Sequence, residues 1–252
     1  MIIAEIGLNH LGNTRLAKHY IDTLVKTDVD AITFQIREPE FYSNKWLIYD
    51  LILDKDIYFY AKEQTQKTRK KLGIAIGDIK YIDFFELLNV DFYKVIRNDI
   101  TDFKLIDKLK TTKKEIIVST GLSSEDEIYK FVEHIEQDKN FTLNHTQLSF
   151  ETKDCNLSAI EDMKSKYKLN VSFGSHCNNH NVLYMSLNYK PSDILFYVKS
   201  TEFVNSDENW PDHDHAILLK DVEYLVKNLK LLPMAIGDGK KRKMINKIEE
   251  LL

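Results

Sequence analysis

Only two cysteines, four prolines and eight glycines occur among the 252 residues. Two thiols, Cys155 and Cys177, cannot build the disulfide framework on which small secreted domains depend. Nowhere does an apolar stretch reach the ~18 residues needed to cross a bilayer, and the first residues show neither the charged region nor the cleavage site of a signal peptide. A cytoplasmic protein without membrane contact is therefore expected. Scarce proline and glycine leave no linker between folded units, so one domain spanning residues 1–252 is expected. An excess of basic charge is missing as well: a net charge of -4 and a pI near 6.1 give no electrostatic footprint for nucleic acid. The basic runs at residues 67–71 and 240–243 lie in helix-like or terminal segments and read as solvated faces.

What is present is a regular alternation of short β-rich apolar runs with helix-period segments, the pattern of an α/β protein with a parallel sheet. Strands are expected at residues 2–6, 31–35, 73–76, 92–96, 115–119, 142–145, 170–173 and 194–199. Helices are expected at residues 14–26, 57–71, 81–88, 103–110, 124–136, 157–166, 182–187 and 216–231. Eight such units in about 250 residues is the size of a (β/α)8 TIM barrel. A doubly wound sheet is the alternative, but no Gly-x-Gly-x-x-Gly turn supports its dinucleotide-binding form. Ser124, followed by Glu125, Asp126 and Glu127, is a capping-rich helix start. Residues 37–54, with Pro39 and Trp46, form a βα loop of unusual length where barrels keep active-site lids.

The first strand carries Glu5, followed at once by Asn9 and His10 between two glycines. A buried strand has no packing use for a carboxylate, and desolvating one unpaired costs several kcal/mol. Glu5 is either a catalytic group at a strand mouth or a carboxylate satisfied by a neighbouring Lys or by backbone amides. In a barrel, polar residues at the carboxyl ends of strands converge on one face. They are Gln35 and Arg37 after strand two, Lys94, Arg97 and Asp99 at strand four, and Ser119, Thr120 and Gly121 at strand five. Strand six adds Asn144, His145 and Gln147, strand seven Ser175, His176 and Cys177, and strand eight Lys199, Ser200 and Glu202. Such a face suits a polar, phosphorylated ligand.

Lys94 inside a strand needs an anionic partner, either a ligand or a residue such as Glu5. Arg97 can hold a phosphate or carboxylate in bidentate fashion, or pair with Asp91, Asp99 or Asp102. Ser119 and Thr120 offer donors to anion oxygens, or simply form the turn into the next helix. His176, Cys177, His180, His213 and His215 lie in the carboxyl half and could make a divalent metal site, although their spacing matches no dedicated zinc motif. His19 and His134, in helix patterns, read as exposed helical residues.

Together these residues resemble the sialic acid (N-acetylneuraminate) synthases and related nonulosonate synthases. The specific matches are the opening from Ile3 to Gly12 and the strand Ile117-Val118-Ser119-Thr120-Gly121. Ala31-Ile32-Thr33-Phe34-Gln35, Tyr93-Lys94-Val95, Asn98-Asp99-Ile100-Thr101, His176 and Pro211-Asp212-His213 follow in the family's order. The resemblance implies a TIM barrel that uses a divalent metal, Mn2+ or Mg2+, and condenses phosphoenolpyruvate with an N-acetylated aminosugar, releasing phosphate, for surface glycan biosynthesis. It implies that Lys94 and Ser119 hold phosphoenolpyruvate, to which the residues themselves add Thr120 as a hydroxyl donor and Arg97 as a cation, and that Glu5, Asp99 and Gln35 serve catalysis. Asn9, His10 and Asp212 would meet the sugar, and His176 would bind metal.

Departures accompany the resemblance. Thr33 stands where the family has Lys, Arg97 where it has Ser, and Gly174 where it has a phosphate-binding Ser. Strand eight ends Val198-Lys199-Ser200-Thr201, without the family's second metal histidine; the substitutes expected are Glu202, two residues beyond Ser200, and His213. The resemblance does not extend to the family's carboxy-terminal antifreeze-like domain. It implies a homodimer, though without that domain's swapped arrangement. The alternatives are a non-catalytic sugar-binding or scaffold relative, and a barrel lyase or aldolase of altered chemistry.

Overall fold

The structure is a computed structural model and describes residues 1–43, 50–96, 100–203, 212 and 214–241. Eight parallel strands run in sequence order and close by pairing the last on the first. They are β1 (Ile2–Gly7), β2 (Ala31–Ile36), β3 (Lys71–Ile76), β4 (Phe92–Val95), β5 (Glu115–Ser119), β6 (Phe141–His145), β7 (Asn170–Gly174) and β8 (Ile194–Lys199). A two-residue β9 (Ile217–Leu218) pairs on β8. This is the expected TIM barrel.

The helices are α1 (Thr14–Leu24), α2 (Pro39–Tyr42), α3 (Lys55–Lys67), α4 (Ile82–Leu87), α5 (Phe103–Lys110) and α6 (Glu125–His134), then α7 (Ala159–Tyr167), α8 (Asn181–Ser186), α9 (Val222–Leu231) and α10 (Pro233–Ile236). Ser124 and Glu127 form the full reciprocal capping box at the start of α6. Most helix ends fall within about two residues of expectation, and two differ by more. The helix expected to reach residue 71 stops at Lys67, because Arg69 turns at φ 57° and Lys71 already begins β3. The helix expected from residue 216 starts at Val222: Ile217 and Leu218 are drawn into the sheet against Val198 and Lys199. Short α2 occupies the expected lid segment, whose residues 44–49, including Trp46, lie outside the described residues.

Period two along each strand sorts side chains into two cores. Those facing outward, such as Ala4, Ile6, Ile32, Phe34 and Ile74, join the helices in the main hydrophobic cluster. Those facing inward at the amino-terminal end, Ile3, Ala31, Phe92, Ile117 and Leu195, form a separate plug closed by Met1. Gly73 makes this plug possible, since a Cβ there would lie 2.3 Å from Phe92 Cζ. One layer nearer the carboxyl ends, the inward positions become polar: Glu5, Thr33, Lys94, Ser119, Asn144 and Ser172 are all buried. The apolar plug thus floors a polar mouth, where barrels place their chemistry.

Candidate functional site

Across that mouth the Lys94 ammonium donates to Glu5 Oε2 at 2.9 Å, with the Glu5 side chain fully buried and that of Lys94 8% exposed. Among the described residues Glu5 Oε1 has no hydrogen-bond partner, nor has the Thr33 hydroxyl beside it in register. Tyr197, on the opposite neighbour in register with Glu5, places its ring 5.5 Å from Lys94 Nζ. Between the two readings of Lys94, the geometry therefore supplies Glu5 as its partner, and the pair carries one carboxylate oxygen still to be satisfied.

Beyond the Tyr197 ring lies a second polar group. His176, on the turn between β7 and α8, meets Asp212 and His215, from the segment between β8 and β9, with one donor atom of each within 4.8 Å of the others. The Tyr197 ring lies 5.3 Å from that of His176 and 4.9 Å from that of His215. Thr146 Oγ1 shares a 2.9 Å hydrogen bond with His176 Nδ1, a contact that fixes the ring's orientation. His215 is buried, and among the described residues neither of its ring nitrogens has a hydrogen-bond partner. Burial pushes its pKa down to about 4, so the imidazole is neutral near pH 7. Gly7, at φ 57°, lets this end of β1 approach both groups: a Cβ there would lie 3.2 Å from Tyr197 Cε1 and 3.4 Å from Asp212 Oδ2.

Two imidazole rings, His215 and His176, and the Asp212 carboxylate brought within 4.8 Å of one another are a donor set that fits a divalent cation. Of the metal residues expected from sequence, His176 is in this cluster. Glu202 is not: its side chain is 64% exposed and sits 3.6 Å from His19 on α1. The reason is that β8 ends at Lys199, so strand alternation no longer governs where Glu202 points.

The remaining expected residues divide by what they already hold. Asn9 donates to Val198 O at 2.8 Å and accepts from the Asp212 amide at 3.2 Å, so it ties β1 to the segment that presents Asp212. His10 Nδ1 accepts from the Gly12 amide at 3.0 Å, and burial pushes this ring down to about 3. Ser119 is buried at the end of β5, its oxygen 3.5 Å from the Gly121 amide. The Thr120 hydroxyl donates to Asn144 O at 3.1 Å. Gln35 is half-buried near the end of β2. Arg97 and Asp99 lie outside the described residues, as do Pro211 and His213.

His145 faces away from the mouth: it stacks on Phe173 and bonds Cys155 O at 2.9 Å. A cleft of about 510 Å3 opens on that outer side, lined by His145, Thr146 and Gln147 together with Glu125, Asp162 and Tyr167. Asn144 instead points inward, accepting from Ser172 Oγ at 3.0 Å, and a Cβ at Gly174 would lie 2.8 Å from its amide nitrogen. A serine at this position would require the Asn144 amide to shift. Sequence reasoning passed over Tyr197 and Thr146. Tyr197 was detectable by counting two residues back from Lys199 on a strand whose polar end faces the mouth.

The NeuB family model matches residues 14–241 of the chain. An uncharacterized protein of Methanocaldococcus jannaschii is 30% identical over 251 residues, covering 95% of this chain and 73% of that one. The N,N'-diacetyllegionaminic acid synthase of Campylobacter jejuni is 24% identical over 275 residues, covering 96% and 79%. Among solved structures, the N-acetylneuraminic acid synthetase of Leptospira borgpetersenii, in complex with citrate, superposes with a TM-score of 0.85 at 25% identity over 99% of this chain and 89% of that one. Among the described residues no helix is long and apolar enough to cross a membrane. With a family match over most of its length and the barrel mouth built as above, the chain belongs to the NeuB family.

Proposed function

We propose that this protein condenses phosphoenolpyruvate with an aldose, of the N-acetylated aminosugar class, to give a nonulosonic acid and phosphate. The observation that carries the reading is the buried Glu5–Lys94 pair facing the His176, Asp212 and His215 cluster across one tyrosine ring, in a chain whose relatives include a named nonulosonate synthase. In this reaction C3 of phosphoenolpyruvate bonds to the aldehyde carbon, water adds at C2 and phosphate leaves. The aldehyde oxygen gains a proton, and the attacking water gives one up.

Lys94 supplies a cation at the mouth for the phosphate or carboxylate of phosphoenolpyruvate. Ser119 completes the anion site together with Arg97, whose charge takes the place of the strand-two Lys that Thr33 replaces. Glu5, released from Lys94 when the anion arrives, is then the carboxylate placed to take or return a proton, with Asp99 in the same office by resemblance. His176, Asp212 and His215 would hold a divalent cation, which would supply Lewis acidity for the sugar aldehyde. The Tyr197 ring stands between the two halves, and Asn9 holds the segment bearing Asp212 in place.

Phosphate release is measured from phosphoenolpyruvate with MnCl2 and a panel of N-acetylated hexosamines, each component omitted in turn. Release that needs both substrates, and is lost in Glu5→Gln, is expected. Turnover of a sugar acid without phosphoenolpyruvate would favour the lyase or aldolase alternative. Sugar binding by a folded preparation that releases no phosphate would favour a non-catalytic relative.

A further inference from the structure

His215 occupies a position that a packed interior does not leave empty-handed. Its side chain is 4% exposed, and among the described residues neither ring nitrogen is hydrogen-bonded. Leaving a buried polar group unsatisfied is unfavourable, so this ring is placed at a cost unless something binds it. Its position is nonetheless held from several sides. Phe150 stacks on the ring at 5.8 Å, Tyr197 meets it edge-on, and His180 Nε2 contacts the His215 carbonyl oxygen at 3.2 Å.

The donor spacing is that of a loosely open cation site. Two ligands at about 2.1 Å from one ion stand roughly 3.4 Å apart in tetrahedral arrangement and about 4.2 Å when opposite. His215 Nε2 and Asp212 Oδ1 are already 3.7 Å apart, and the whole set spans no more than 4.8 Å. Small side-chain rotations close the difference. The end of β8 offers no competing donor. Ser200 is buried, its amide donates to the Tyr20 hydroxyl at 2.8 Å, and its Oγ accepts from the Glu202 amide at 3.1 Å.

We infer that His215 is the second imidazole ligand of a divalent cation site formed with His176 and Asp212, so that this imidazole comes from the segment after β8 and not from the strand's own end. Two nitrogens and one carboxylate make a set suited to Mn2+, Co2+ or Zn2+ and poorly suited to Mg2+ or Ca2+, which favour all-oxygen surroundings. Of the two cations that the family resemblance implies, the site selects Mn2+. The inference rests on the proposed reaction only for the use made of the ion, since binding is read without turnover.

The test is calorimetric titration of MnCl2 into the protein, His215→Gln and Glu202→Gln, with pulsed electron paramagnetic resonance to count coordinated imidazole nitrogens. The wild type is expected to bind one Mn2+ through two imidazoles, with equimolar MgCl2 failing to compete. Glu202→Gln is expected to match it, and His215→Gln to bind at least about tenfold more weakly, through one imidazole. Wild-type affinity in His215→Gln, weakened binding in Glu202→Gln, or a single imidazole in the wild type overturns the inference. The nitrogen count in the wild type decides the matter should His215→Gln not fold. Two imidazoles on Mn2+ without any sugar-dependent phosphate release would contradict the reaction and leave the site standing. Sugar-dependent release with unchanged Mn2+ binding in His215→Gln would do the reverse.

Discussion

Lys94 reaches across the barrel axis to Glu5 at 2.9 Å, yet among the described residues nothing bonds the second buried oxygen of Glu5. A buried pair of this kind is weak evidence for stability, because desolvation cancels much of the attraction. Removing one partner is different, since it strands a charge. Lys94→Met should therefore lower unfolding free energy by about 3–5 kcal/mol, whereas Glu5→Gln with Lys94→Met should recover most of that loss. Urea unfolding of the three proteins checks this, and an undiminished loss in the double variant would show that packing, not charge, holds the layer.

Asn9 links Val198 to the Asp212 amide, so its effect should appear at the metal cluster rather than at the sugar alone. Asn9→Ala is expected to weaken Mn2+ binding by about 10–100-fold, as loss of a supporting hydrogen bond typically does. Mn2+ affinity equal to wild type would confine Asn9 to other contacts.

The floor of the barrel depends on Gly73. A methyl group there would stand 2.3 to 2.7 Å from three Phe92 ring atoms. Gly73→Ala should cost about 1–3 kcal/mol by overpacking, and Phe92→Leu in the same chain should relieve part of it. Thermal unfolding of the single and double variants measures both.

Asp30 ties the start of β1 to α9, accepting from the Ile2 amide at 2.6 Å and from Lys230 at 3.0 Å. Burial alone would raise its pKa, but the Ile2 amide and Lys230 outweigh burial and hold it below 3.8. A carboxyl depressed on folding contributes stability that is fully present above its unfolded value and is lost as pH falls through the folded one. Stability should thus decline below about pH 4, and less steeply in Asp30→Asn. Denaturation midpoints between pH 2 and 7 compare the two.

The barrel was legible because eight apolar runs alternate with eight helical patterns, and period two in β1 already singled out Glu5. The false helical start at residue 216 arose because Ile217, Leu218 and Leu219 satisfy strand and helix patterns alike, and only pairing with β8 decides. Asn9 and His10 stood out as polar, but their bonds to Val198, Asp212 and Gly12 connect atoms that sequence does not place together. The metal cluster was half visible. His176 was found from its strand end, while the position of His215 depends on how the segment after β8 folds back, and alternation extrapolated past Lys199 led instead to the exposed Glu202.

Mass spectrometry of the reaction mixture tests the central claim most directly. The account predicts a product with the mass of phosphoenolpyruvate plus aldose plus water minus phosphoric acid, formed only when both substrates are present and absent with Glu5→Gln. Folded, Mn2+-loaded protein that yields no such product with any N-acetylated hexosamine would contradict it.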